Sequence, residues 1–314
     1  MRYVKTFKQI SKKDVAIAGG KGASLGEMLN AKIPVPPGFV VLAPAFERFL
    51  TETDLGVEIA ARLKKVNYKD TNSVDRASNV IRDLINSAEF PKDLGVEINQ
   101  AFSTLKSRYV AVRSSATAED SSIASWAGEL DSYLNTTRKD LLENVKKCWS
   151  SLFTPRAIFY RKEKKLHRTK VSVAVVVQEM VQSEVSGIAF TVHPVTEDKN
   201  QMIIEAGLGL GEAIVSGQIT PDSYVVGKKD LSILDINISE QKQMIVKSGN
   251  GNKTVKIKKA LGGKQKLTGR QIIELSKICL KVEKHYKFPC DIEWAFYKGK
   301  FYILQSRPVT TLKK

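Results

Sequence analysis

Cysteine is scarce in this 314-residue sequence: Cys148, Cys279 and Cys290 stand far apart, with no C-x-x-C pair. That spacing excludes a disulfide framework and a cysteine-held zinc site, and suits a reducing, cytoplasmic setting. Long apolar runs are missing. No stretch approaches the roughly 20 residues that a membrane span needs, and the opening MRYVKTFKQISKKD has no apolar segment of the export type. The expectation is a chain neither exported nor inserted. Histidines are equally few, and His167, His193 and His285 have no partner at metal-ligand or triad spacing, so hydrolase chemistry by those routes has no support. A Walker A loop is absent too, because Val15 and Gly22 occupy the places where that pattern needs glycine and a hydroxyl residue around Gly20-Lys21.

Acidic residues are outnumbered, and the formal net charge is +17. Such a balance suits nucleic acid, an acidic partner or a phosphate-rich ligand, and it equally suits a solvated lysine-rich surface. The lysines fall in short groups (Lys12-Lys13, Lys64-Lys65, Lys258-Lys259) without interleaved aromatics, which argues against a nucleic-acid face. With 42% hydrophobic residues the chain can bury a sizeable core, divided between two lobes.

Periodicity gives an α+β order. GGKGASLGEML, residues 19 to 29, reads as a glycine turn running into a short amphipathic helix. Pro34, Pro36 and Pro37 forbid helix before a strand at Phe39 to Leu42. Residues 43 to 107 are mostly helical by their three-to-four spacing. A strand over Tyr109 to Val112 is predicted to end at Arg113, ahead of the hydroxyl-rich loop SSATAEDSSIASWAG. One or two helices occupy 140 to 164, and an apolar strand runs from Val171 to Val177. The connection QEMVQSEVSG leads to the strand IAFTV, and MIIEAGLGLGEAIVSG reads as strand, glycine-rich loop and helix start. A lysine-rich β-like stretch spans about 223 to 258, a helix 271 to 286, and a hairpin closes the chain. The break between lobes is expected at the QEMV segment, giving 1–177 and 178–314.

Several residues are candidates for chemistry. Glycines beside Lys21 at a helix start can offer N–H groups and a cation to phosphate oxygens, or form a plain turn with a solvated lysine. Arg113, at a strand end beside Ser114, Ser115 and Thr117, can clamp phosphate, or pair with Glu119 or Asp120. Gly128 sits in a small-residue stretch that can close over a ligand, or is a turn glycine. Gly207, Gly209 and Gly211 precede Glu212, where a dinucleotide fingerprint would need glycine.

DIEWAFYKGKFYILQSRP is the most informative stretch. Asp291 and Glu293 alternate with Ile292, Trp294 and Phe296, so one strand face is acidic and the other apolar. If a three-residue loop, Lys298 to Lys300, closes the hairpin, Glu293 lies opposite Gln305 and Asp291 opposite Arg307. A two-residue loop would shift the pairing by one. Two carboxylates, an amide oxygen and a guanidinium on one face suit Mg²⁺ carrying phosphates, against the alternative of a solvent-facing strand with one salt bridge.

In this order, GGKGASLGEM, VPPGFVV, AVRSSATAEDS, SWAG, SLFTPRAIFYR, VQEMVQSEVSGIAFT, GLGEAIVSG, DIEWA and ILQSRPVT resemble the N-terminal nucleotide-binding domain of the phosphoenolpyruvate synthase (pyruvate, water dikinase) and pyruvate phosphate dikinase family. The same domain type opens rifamycin phosphotransferase. The resemblance covers nearly the whole chain and implies an ATP-grasp fold with ATP held between two lobes. By it, Lys21 and Arg113 would bind the ATP phosphates, with the Gly128 loop closing over them. Glu179, Met180 and Val181 would recognise adenine through their backbone. Asp291, Glu293 and Gln305 would hold Mg²⁺ and phosphate, Arg307 would stabilise charge on the transferred group, and Glu212 would touch the ligand.

Full-length members of that family continue into a swivelling domain with a phosphate-accepting histidine and then a phosphoenolpyruvate/pyruvate barrel, whereas this chain stops at SRPVTTLKK. The resemblance therefore implies an ATP half-reaction on a histidine supplied elsewhere. SWAGELDSY and Cys290 depart from the synthase pattern and leave the subfamily open. The alternatives are a rifamycin-type acceptor and a non-catalytic ATP-binding module.

Overall fold

The computed structural model describes residues 2–117, 131–164, 172–249, 251–310 and 312. It is a mixed α and β chain whose strands pair antiparallel throughout the described residues. Two compact units result: Met1–Glu27 with Pro37–Met180, and Met28–Pro36 with Val181–Lys314.

The first unit holds β1 (Val4–Thr6), α1 (Val15–Asn30, which runs on into the second unit), β2 (Gly38–Val41), α2 (Ala43–Glu52), α3 (Leu55–Lys64), α4 (Thr71–Ser87) and α5 (Lys92–Thr104). It continues through β3 (Val110–Ala116), β4 (Ser132–Thr136), α6 (Leu141–Ser150), α7 (Pro155–Glu163) and β5 (Val173–Glu179). Its sheet has the order β1-β2-β5-β3-β4. The valine run of β5 is buried on both faces, which puts it in the middle. Phe39, Val41, Val110, Val112, Val175 and Val177 share one face and join a core with Phe46, Phe49, Ile81, Ile85 and Trp149 from the helices. α4 buries Val74, Ser78, Ile81 and Ile85 at three-to-four spacing, and Asp70 caps its N-terminus by accepting the Asn72 amide at 3.0 Å. Thr154 caps α7 in the same way, with Pro155 as its first residue.

Two sequence expectations are revised here. Helix α1 begins at Val15, ahead of the glycines, and is broken at Gly19, whose φ of 69° only glycine adopts at low cost. Strand β3 does not end at Arg113; it continues through Ser114, Ser115 and Ala116, which pair with Val175, Ala174 and Val173. The two hydroxyls are tolerated inside a sheet because each is hydrogen-bonded there.

The second unit contains β6 (Val185–Phe190), β7 (Gln201–Leu208), α8 (Glu212–Val215), β8 (Asp222–Gly227), β9 (Ile233–Asn237), β10 (Gln243–Ser248), β11 (Gly251–Lys256), α9 (Lys259–Gly262), α10 (Gly269–Tyr286), β12 (Cys290–Tyr297) and β13 (Lys300–Pro308). Six strands form one sheet in the order β13-β12-β6-β7-β8-β9, and β10 with β11 makes a separate ladder. On one face Ile292, Trp294, Ile204, Tyr224 and Ile303 are buried, and α10 packs against β12 with Ile272, Leu275, Cys279 and Val282 buried. The opposite face is the polar one. The excursion from β9 to α10 is tied down by a buried ion pair, Lys266 Nζ to Asp222 Oδ1 at 2.9 Å, both side chains fully inaccessible. Tyr224 Oη and the Lys266 amide donate to the other carboxylate oxygen at 2.8 Å each.

Candidate functional site

In the second unit the site is built on the closing hairpin. Its turn is two residues, Lys298 and Gly299, so Tyr297 pairs with Lys300 and Trp294 with Ile303. That is the shorter loop, which by itself would misalign the polar residues. A β-bulge between Glu293 and Trp294 then inserts Leu304 as an extra residue on β13 and shifts the register by one. Beyond it Glu293 stands opposite Gln305, and Asp291 opposite Arg307. The loop expectation was wrong and the pairing holds, because the bulge compensates for the missing loop residue.

Arg307 donates from Nε and Nη2 to Asp291 Oδ2, at 2.8 and 2.7 Å. Asp291 and Gln305 are each 8% exposed, and Glu293 is half-buried. Burial raises the Asp291 carboxyl above its ordinary range and Glu293 adds to the rise, against the pull of Arg307. One residue that sequence reasoning passed over belongs to this face. Glu205 on β7 pairs with Ile188, which on its other side pairs with Glu293, so the two glutamates lie two strand spacings apart, about 10 Å. The Glu205 carboxyl is raised by burial and by the charge of Asp291. Its signal in the sequence was an ionisable residue inside the apolar run MIIEA.

Among the described residues no three acidic, histidine or cysteine side chains stand close enough to hold a metal ion by themselves. The Asp291 and Glu293 carboxylates and the Gln305 amide oxygen on one face do fit a hard cation that takes its remaining ligands from phosphate and water.

In the first unit, Arg113 is the one residue of β3 that is not buried. Lys21 Nζ donates to the carbonyl of Ser114, the next residue along the strand, at 2.9 Å, which brings its ammonium to the β3 backbone. The hydroxyls next to them are spent inside the fold. Ser114 Oγ lies 3.1 Å from the Asp131 carbonyl and 2.9 Å from Ser151 Oγ, Ser115 Oγ donates to the Ala18 carbonyl, and Thr117 Oγ1 donates to that of Ser172. They add no donors for a ligand. Gln178, paired with Ala111 on the face that carries Arg113, was also missed; it is 2% exposed and its Nε2 has no hydrogen-bond partner among the described residues.

The chain passes from the first unit to the second between Met180 and Val181. The Glu179 and Met180 amides donate to the carbonyls of Pro37 and Tyr109, at 2.9 and 3.0 Å, and burial raises the Glu179 carboxyl. Gly128 lies outside the described residues. Glu212 opens α8 and accepts from Asn252 Nδ2 at 2.8 Å. Two of the glycines before it are required by the protein itself. A side chain on Gly207 would meet Ile214 and Ile219, and Gly209 has a φ of 90° and lies where a side chain would come within 2.6 Å of the Ile245 carbonyl oxygen, while its own carbonyl accepts from the Ser183 and Ser186 hydroxyls at 2.9 and 2.7 Å.

No helix among the described residues is long and apolar enough to cross a membrane. The chain is 48% identical, over its whole length, to a probable phosphoenolpyruvate synthase of Methanocaldococcus jannaschii, of which it covers 27%. It is 42% identical to the phosphoenolpyruvate synthase of Pyrococcus furiosus, again over all of this chain and 44% of that protein. To the rifampicin phosphotransferase of Bacillus subtilis it is 38% identical, over 97% of this chain and 35% of that protein. The chain thus spans less than half the length of these curated relatives. Residues 15–314 match the pyruvate phosphate dikinase AMP/ATP-binding domain, and the chain belongs to that family.

Proposed function

We propose that the chain binds ATP and Mg²⁺ in an ATP-grasp arrangement and passes a phosphoryl group to a histidine on a separate domain or protein, as the ATP half-reaction of phosphoenolpyruvate synthesis from pyruvate. The observation that carries this reading is the polar face of the closing hairpin. Glu293 and Gln305, with Asp291 beside them, would hold the cation, which screens phosphate charge and aligns the phosphate oxygens. Arg307, oriented by its two bonds to Asp291, would stabilise charge on the transferred group. Lys21 and Arg113 would take the phosphates from the first unit, and Glu205 would add to the acidic set.

The backbone of Glu179, Met180 and Val181 would recognise adenine, with the Gln178 amide as a further donor. Gly128 would close over the phosphates, and Glu212, already engaged by Asn252, would contribute at the ligand's edge. The partners implied are a phosphohistidine swivelling domain and a phosphoenolpyruvate/pyruvate-binding domain. Histidine nitrogen would attack the β-phosphorus of ATP, the bond from that phosphorus to the α-phosphate oxygen would break to release AMP, and water would cleave the remaining anhydride to release inorganic phosphate. A rifamycin-type acceptor is the second reading, favoured by the similarity to the Bacillus subtilis enzyme.

The test is to incubate the chain with Mg²⁺ and ATP labelled at the β-phosphate, together with a separately supplied phosphohistidine domain. Label on the partner that disappears with Arg307→Ala is the expected result. Tight ATP binding without transfer would leave a binding module, and no binding would overturn the reading.

A further inference from the structure

The break in α1 is bridged by a side chain from another element. In an unbroken helix the Gly22 N–H would donate to the carbonyl of Ala18, four residues back. Gly19, with φ at 69° and ψ at 170°, leaves the helical region inside that turn. Ser115 Oγ occupies the gap, accepting from the Gly22 amide at 3.2 Å and donating to the Ala18 carbonyl at 3.0 Å. One hydroxyl therefore joins the Gly22 donor and the Ala18 acceptor across the kink. Ser115 is fully buried, as are Ala18 and Gly22, so water has no route to replace it.

The fit is tight around this hydroxyl. A side chain on Gly19 would collide with Ser115 Oγ and with its carbonyl group, whose carbon would be 2.7 Å away. Lys21 lies inside the bridged turn, between Gly19 and Gly22, and its ammonium reaches the Ser114 carbonyl on the same strand. β3 thus meets this segment twice, at the backbone on either side of Lys21 through Ser115 and at the lysine head group through Ser114. Side chains inserted in a helix ladder are a recognised cause of sharp kinks, and here the kink sets the direction in which the lysine leaves the helix.

We propose that Ser115 is a positioning residue for Lys21, its hydroxyl locking the broken turn at Gly19 so that the ammonium is presented to the nucleotide phosphates. The inference rests on Lys21 being a phosphate ligand, and the experiment separates the two. Binding of Mg²⁺-ATP and of adenosine to the full chain is measured by calorimetry for wild type, Ser115→Ala, Lys21→Ala and the double variant. Ser115→Ala is expected to weaken Mg²⁺-ATP about tenfold, the scale of a lost bond to a charged group, and to leave adenosine affinity unchanged. In the Lys21→Ala background it should cost nothing further.

Equal losses for ATP and adenosine would mean a general structural role and overturn the proposal. So would wild-type ATP affinity in Ser115→Ala, or an undiminished effect without Lys21. Wild-type ATP affinity in Lys21→Ala would overturn the reading of the lysine itself. Where Ser115→Ala proves too unstable to assay, Ser115→Cys, whose larger sulfur weakens both bonds, carries the same comparison.

Discussion

Asp291 and Arg307 face each other across the closing hairpin only because Leu304 is inserted one residue before Gln305. Nε and Nη2 of the arginine converge on a single carboxylate oxygen, at 2.8 and 2.7 Å. This leaves Oδ1 of Asp291 outside the arginine's grip, on a face that also carries Glu293 and Gln305.

Arg307→Ala removes the cation that draws the Asp291 carboxyl down, leaving burial and Glu293 to push it up unopposed. The arginine side chain is 32% exposed, so the stability cost should stay near ~1 kcal/mol, read as a shift of the urea midpoint. Label transfer should be abolished. Arg307→Lys should recover most of the stability and little of the transfer, because an ammonium cannot hold two directed bonds to one carboxylate oxygen.

The raised carboxyls of Asp291 and Glu205 give a pH signature. Between the unfolded and the folded pKa the native state binds more protons than the unfolded one, so the ligand-free chain should lose stability as pH rises through that window. Mg²⁺-ATP needs the ionised forms, and its affinity should rise over the same window with release of protons. Calorimetry in buffers of differing ionisation enthalpy measures that release, and Glu205→Gln should reduce it.

Lys266→Met should destabilise the second unit by about 3 kcal/mol, since it leaves Asp222 buried without its counter-charge. Hydrogen exchange should then speed up first in residues 239 to 266, where the Ser239 carbonyl loses the Lys266 ammonium that binds it. Replacing Asp222 with Asn in the same chain should restore part of the loss.

Gly187→Ala tests the sheet beneath the polar face. A methyl there would strike the Glu205 carbonyl and come within 2.7 Å of the Trp294 ring, so β6 and β7 would have to separate. A loss of about 3 kcal/mol or more is expected, as for other overpacked core positions. Thermal unfolding would register it, and the spacing of Glu205 from Glu293 would change with it.

Much of the fold was legible because it rests on local rules. The prolines before β2, the valine run of β5 and the three-to-four spacing of α4 each dictate their element with little help from elsewhere. The polar-apolar alternation from Asp291 to Phe296 likewise announced one polar face and one core face. Less legible were Glu205 and Gln178, polar residues embedded in apolar strands, whose meaning depends on which strands lie beside them. The close packing of Gly207 and Gly209 against Ile214, Ile219 and the Ile245 carbonyl was likewise beyond a local reading, since density of glycine in sequence does not say what makes the close approach.

What the sequence determined by itself was the set of groups and the faces on which they alternate, because side-chain direction along a helix or strand follows from backbone geometry alone. Tertiary structure decided the partners. The two-strand step from Glu293 to Glu205 and the insertion of Ser115 into α1 each join residues distant in the chain, and the Leu304 bulge sets the register of the closing hairpin. Such pairings are set by sheet order and packing, which no local pattern encodes.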